Sequence, residues 1–88
     1  MTRVDPKLTF DELLHRAARR GLPEGMKRPV LHVARECGVS HTHLYSLRKG
    51  LIDQPTEETL AAIAAGLGES VEQVRASIDL SRKNAVLR

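Results

Sequence analysis

The stretch from Ser40 to Lys49 (S-H-T-H-L-Y-S-L-R-K) brings hydroxyl, imidazole, guanidinium and ammonium groups together in one short run. Three chemistries suit such a set. The first is zinc ligation by Cys37, His41 and His43. Residues two apart on a helix point about 200° apart, however, and Cys37 falls on an apolar stripe, so a tetrahedral site would need converging ligands from elsewhere. The second is hydrolysis by Ser40 or Ser46 with a histidine, but neither an orienting carboxylate nor an oxyanion loop accompanies them. The third is non-covalent: hydroxyl, imidazole, guanidinium and ammonium groups bond to the base edges and phosphates of a nucleic acid. We therefore expect no catalytic residue, no metal and no cofactor; the chain does not read as an enzyme, and no small-molecule ligand is evident.

The elements that position these groups must fit in 88 residues, enough for one domain with a small core. Hydrophobic residues make up 41% and charged residues 28%, which excludes a disordered tail. The only aromatics are Phe10 and Tyr45, too few for a sandwich or barrel, and Leu and Ala favour helices. An all-α domain is expected. A single cysteine, Cys37, cannot form an internal disulfide, and Met1 is followed by a charged segment with a proline in place of a signal region. The nearly apolar run from Leu60 to Leu67 is too short to span a bilayer. A cytoplasmic, nucleoid-associated location without membrane contact is the expectation. Charge is unevenly spread: residues 1–50 hold ten Lys/Arg against five Asp/Glu, residues 51–88 four against six. One part of the domain is basic, as a phosphate-rich partner requires.

Helix punctuation is clear. Thr9 and Glu12 form a capping box, Leu8 and Leu13 suit a hydrophobic staple, and Phe10, Leu13, Leu14 and Ala17 share one face. Arg19 and Arg20 suit the last turn of this first helix, and Gly21 ends it. Leu22 to Lys27 reads as a loop. Pro29 suits the first turn of a second helix with Val30, Val33, Ala34 and Cys37 inward, stopped by Gly38. Ser40 caps a third helix, His41 to about Lys49, followed by a loop from Gly50 to Pro55. Thr56 caps a fourth with Leu60, Ile63, Ala64 and Leu67 inward, ended by Gly68. Ser70 with Gln73 reads as a second capping box opening a fifth helix with Val71, Val74 and Ile78 inward. From Ser81 the chain either frays or extends this helix. Residues 1–8 thus read as an arm, 9–80 as the domain, and 81–88 as a tail or helix extension.

The second and third helices are joined by only Gly38, Val39 and Ser40, the spacing of a helix-turn-helix. Ala34 is small where two helices cross closely, Gly38 allows the turn, and Val39 plugs the gap. Leu44 and Leu47 give the third helix a narrow inner stripe, and its polar remainder is shaped for a major groove.

The run V-A-R-E-C-G-V-S-H-T-H-L-Y-S-L-R-K-G resembles the helix-turn-helix of the lambda-repressor-like (Cro-type, XRE) DNA-binding family. The likeness continues through P-T-E-E-T-L-A-A-I-A-A-G-L-G-E-S-V-E-Q-V and covers roughly Thr9 to Ile78. It implies a compact five-helix domain that binds operator DNA as a homodimer and regulates transcription in the manner of a repressor. The chain departs from the family in a first loop about six residues longer, in Val30 where relatives use a phosphate-touching Gln, and in Arg48 where many carry an acid. The resemblance implies that Ser40, His41, Thr42, Tyr45 and Ser46 face base edges of double-stranded DNA. Arg28, His43, Arg48, Lys49 and Gln54 are placed for phosphates, with Thr56 equally suited to capping. Leu80, Ala85, Val86 and Leu87, without a place in the core, are the candidate dimer surface. The alternative reading is a protein-interaction module using the same polar helix on an acidic protein partner.

Overall fold

Four of the five helices begin where a side chain accepts an amide of the first turn, and the other begins behind a proline. The helices are α1 (Phe10–Arg19), α2 (Val30–Cys37), α3 (His41–Lys49), α4 (Glu57–Leu67) and α5 (Val71–Val86). The computed structural model describes residues 4–51 and 54–86, and no strand occurs among them. In α1 the capping box closes in both directions: the Glu12 amide donates to Thr9 Oγ1 and the Thr9 amide to Glu12 Oε1, each at 3.2 Å. Ser40 and Thr56 accept the amides of His43 and Thr59 in the same way. Pro29 stands one residue ahead of α2 as its cap, where a missing N–H costs nothing.

The ends of α2, α3 and α4 share one device. Gly38, Gly50 and Gly68 turn left-handed, at φ of 70°, 71° and 69°. The amide of the next residue then reaches back five residues, from Val39 to Ala34, Leu51 to Ser46 and Glu69 to Ala64, at 3.3, 3.0 and 3.0 Å. Orphan carbonyls are satisfied and each helix stops within a residue. Helix α1 differs: it closes at Arg19, with Arg20 extended before Gly21. The Arg20 guanidinium does not serve its own helix end but donates to Leu67 O, 2.6 Å away, complementing the terminus of α4 instead. Arg20 and Arg16 also flank the Glu69 carboxylate, at 3.7 and 3.3 Å.

The predicted inner faces meet in one cluster. Phe10, Leu13, Leu14, Val33, Leu44, Leu47, Leu60, Ile63, Leu67, Val74 and Ile78 are all buried, with Leu8, Val39 and Val71 packed on its margin. The Cα radius of gyration is 12.2 Å, as a close-packed chain of this length requires. Helix α5 lies against α1, α3 and α4, while α2 crosses α4.

That crossing turns on a residue the sequence pattern did not single out. A Cβ at Gly66 would lie 2.6 Å from Cys37 Cα and 2.8 Å from its backbone N. Helix backbones touch there, and only glycine admits it.

The expected box at the start of α5 forms by half. Ser70 Oγ accepts the Gln73 amide at 3.1 Å, but the Gln73 side chain does not return to Ser70. Buried instead, it accepts the Asp5 amide at 2.6 Å and donates to Asp5 O and Ser77 Oγ at 3.1 and 3.0 Å. The side chain thereby straps residues ahead of α1 onto α5. Helix α5 runs on past Leu80 without a break, and Ser81, buried in that extension, accepts the Phe10 amide at 3.0 Å.

Gly66→Ala is expected to lower the melting temperature. The helix-propensity gain of about 1 kcal/mol is outweighed by overpacking of roughly 1–3 kcal/mol against backbone that cannot retreat. Thermal unfolding followed by circular dichroism measures it, and an unchanged or raised midpoint contradicts the close crossing.

Candidate nucleic-acid interface

Helix α3 has nine residues, and Leu44 and Leu47 are its fully buried ones, both at 0% exposure. Two leucines one turn apart hold the helix by a single edge. Opposite them His41, Thr42, Tyr45 and Lys49 are exposed, with Ser46 half-buried beside them. Tyr45 keeps 47% of its surface in solvent, and Lys49 Nζ lies 5.7 Å from its ring centroid, a cation–π pairing on the open face. Of the five residues expected to face bases, His41, Thr42 and Tyr45 stand together on this surface. Ser40 is exposed at the helix start, but its Oγ is occupied by the His43 amide, which leaves chiefly its O–H to donate.

The residues expected at phosphates fall out differently. Lys49 is exposed. Arg48 is not free: its Nε donates to Asp11 Oδ1 at 2.6 Å, bracing α3 against the first turn of α1. Asp11 also faces His15 Nε2 at 3.3 Å through its other oxygen. His43 is half-buried, with Nε2 shielded from solvent and without a hydrogen-bond partner among the described residues. Arg28 turns toward the C-terminal end of α1, its amide donating to Ala18 O at 2.8 Å and its guanidinium reaching Ala17 O at 3.4 Å.

Gln54 is turned inward. Its Nε2 donates to Arg75 O and to Asp79 Oδ1, both at 2.8 Å, pinning the loop after α3 to α5. Its Oε1 is buried without a hydrogen-bond partner among the described residues. An amide committed in this way is a loop tether and not a phosphate donor. Thr56 is the cap of α4, and Arg75 pairs with Glu57 next to it. The positive charge of the amino-terminal half is thus partly spent: Arg48, Arg16 and Arg20 all meet carboxylates.

The candidate dimer residues also separate. Ala85 is half-buried and packs toward Gly50, where a Cβ would come within 3.0 Å of it. Leu80 is half-buried and stands outside the core cluster. Leu87 and the side chain of Val86 lie outside the described residues.

Cys37, the remaining nucleophile, is buried against Ile63 O at 3.8 Å. Among the described residues no group of three or more His, Cys, Asp or Glu could hold a metal ion, and no helix there is long and apolar enough to cross a membrane. No known family model matches the chain, and no curated protein or solved structure is significantly similar to it.

Burial, with a smaller contribution from the Glu36 carboxylate, pushes the Cys37 thiol from 9.0 up to about 11. A raised thiol pKa favours the folded state while the unfolded thiol is still protonated. The advantage is lost as the unfolded chain ionises first, so stability falls as pH climbs from 9.0 toward about 11. An alkylating reagent at pH 8 is expected to leave the native thiol intact and to label it after denaturation. Equal labelling rates in the two states contradict its burial.

Proposed function

We propose that the chain is a sequence-specific double-stranded DNA-binding regulator of transcription, most simply a repressor. In this reading α2 and α3 form a helix-turn-helix of the lambda-repressor-like kind, with α3 lying in the major groove. One observation carries the reading: α3 is held by two buried leucines and offers His41, Thr42 and Tyr45 side by side on an open face. A helix that buries so little of itself contributes little to the core, and its exposed groups are the ones that bond to base edges. The three-residue turn through Gly38 and the Ser40 cap support the same assignment by fixing the angle at which α3 leaves α2. Lys49 supplies phosphate contact on this face.

His41→Ala and Thr42→Ala are each expected to reduce discrimination between operator and random duplex by about 1–3 kcal/mol, with a smaller effect on random duplex alone. Fluorescence anisotropy across a salt series supplies the measurement, using an operator selected from a random pool. DNA binding gives a steep linear fall of log affinity against log salt. A flat response to duplex, with retained binding to an acidic protein, favours the protein-interaction reading instead.

The proposed regulator acts as a homodimer, because one recognition helix spans few base pairs and two-fold symmetry doubles the reading. With Ala85 engaged inside the fold, Leu80 is the described apolar residue left for a partner copy. Leu80→Glu is expected to convert the dimer to a monomer in analytical ultracentrifugation and to weaken operator binding without lowering the melting temperature. A wild-type chain that sediments as a monomer when bound to its operator rules the dimer out.

A further inference from the structure

A cavity of about 210 Å³ opens between the start of α1, the end of α3 and the last turns of α5, lined by Thr9, Asp11, Arg48, Lys49, Ser81 and Asn84. Its walls are unusually rich in uncommitted donors. Asp11 takes only the Nε edge of Arg48, so the Nη groups have no hydrogen-bond partner among the described residues. Lys49 pairs with no carboxylate among those residues, and the Asn84 side chain makes no hydrogen bond with them. Two cations therefore face one carboxylate, and that carboxylate is itself shared between Arg48 and His15. The start of α1 is not the source of attraction: its Phe10 and Glu12 amides are already taken by Ser81 and Thr9.

We propose that this cavity is a phosphate subsite, in which Arg48, Lys49 and Asn84 hold one phosphate group. A guanidinium fixed by a carboxylate through Nε presents its remaining N–H groups in a rigid fork, the geometry that suits phosphate oxygens. The ammonium adds a point charge, and the amide supplies a neutral donor from α5, an element the recognition helix alone would not bring to the ligand. Two sources share this chemistry: the DNA backbone beside α3, which rests on the function proposed above, and a free phosphate compound, which does not. The proximity of Lys49 to Tyr45 on the open face favours the backbone.

The test combines inorganic phosphate and DNA. Phosphate is titrated into the ¹⁵N-labelled full chain, and the amide shifts of the wild type are compared with those of Asn84→Asp, which keeps the shape but replaces a donor with a carboxylate. Saturable shifts are expected around Thr9, Lys49 and Asn84 in the wild type, and their loss in the variant. Affinity for random duplex is expected to drop about tenfold, with the salt slope shallower by about one. Loss of the phosphate shifts with unchanged duplex affinity keeps the subsite but assigns it to a free phosphate compound. Absence of local shifts in the wild type, or their persistence in the variant, overturns the subsite, whatever the His41 and Thr42 variants show about DNA. Melting curves check that Asn84→Asp is folded, and Asn84→Ala, which removes the donor without adding charge, takes its place if it is not.

Discussion

A core with a single aromatic side chain must be filled by bringing helices close together. Phe10 is the one large ring in the apolar cluster of the described residues; its other members are Leu, Ile, Val, Ala and Cys. Such side chains reach only a short distance, so voids are avoided by reducing the spacing between backbones. The contact of Gly66 with the Cys37 backbone is one place where this happens, and the placement of α2 follows from it. With α2 held against α4, the turn through Gly38 delivers α3 to the surface at a determined angle. The exposed face of α3 is thus set from a crossing of α2 with α4 in which α3 has no part.

The inner edge of α3 is secured at several points that leave its outer face free. Leu44 and Leu47 are buried, Arg48 is clasped by Asp11 of α1, and Gly50 is pressed against Ser81 and Arg82 of α5. Three other helices therefore determine where α3 sits. None of these contacts uses His41, Thr42 or Tyr45. The contacts that hold α3 and the groups it exposes lie on separate sides of the same nine residues, and changes on one side are felt little on the other.

What could be read from the sequence was what is decided within a few residues. Thr9 with Glu12, Ser40, Thr56 and the glycine stops act on neighbours three to five positions away, so their signals are local and the helix bounds came out close to the residue. The inner faces followed from periodicity. What could not be read depended on distant partners. Gln73 looked like the second half of a cap but is drawn to Asp5, 68 positions earlier. Gln54 looked free but is tied to Arg75 and Asp79. Arg48 looked like unspent charge but meets Asp11, and nothing in the pattern marked Gly66. A long polar side chain finds whichever partner packing brings within reach, and spacing along the chain carries no record of that choice. The site was legible in outline for the same reason: exposure of His41, Thr42 and Tyr45 follows from helical geometry, whereas the availability of each cation does not.

The bond from the Phe10 amide to Ser81 Oγ joins residues 71 positions apart, and Asp5 to Gln73 does nearly the same. During synthesis α1 emerges first, and its Phe10 amide waits, hydrated, until α5 is almost finished. Helices α1 to α4 can form and collide in the meantime, but the edges of α1 and α3 that α5 covers stay open to water. Assembly of these five helices therefore closes with α5, which docks across α1 and seats the end of α3 as it does so. A nascent chain exposed only as far as α4 would hold four of the five helices with the end of α3 unseated.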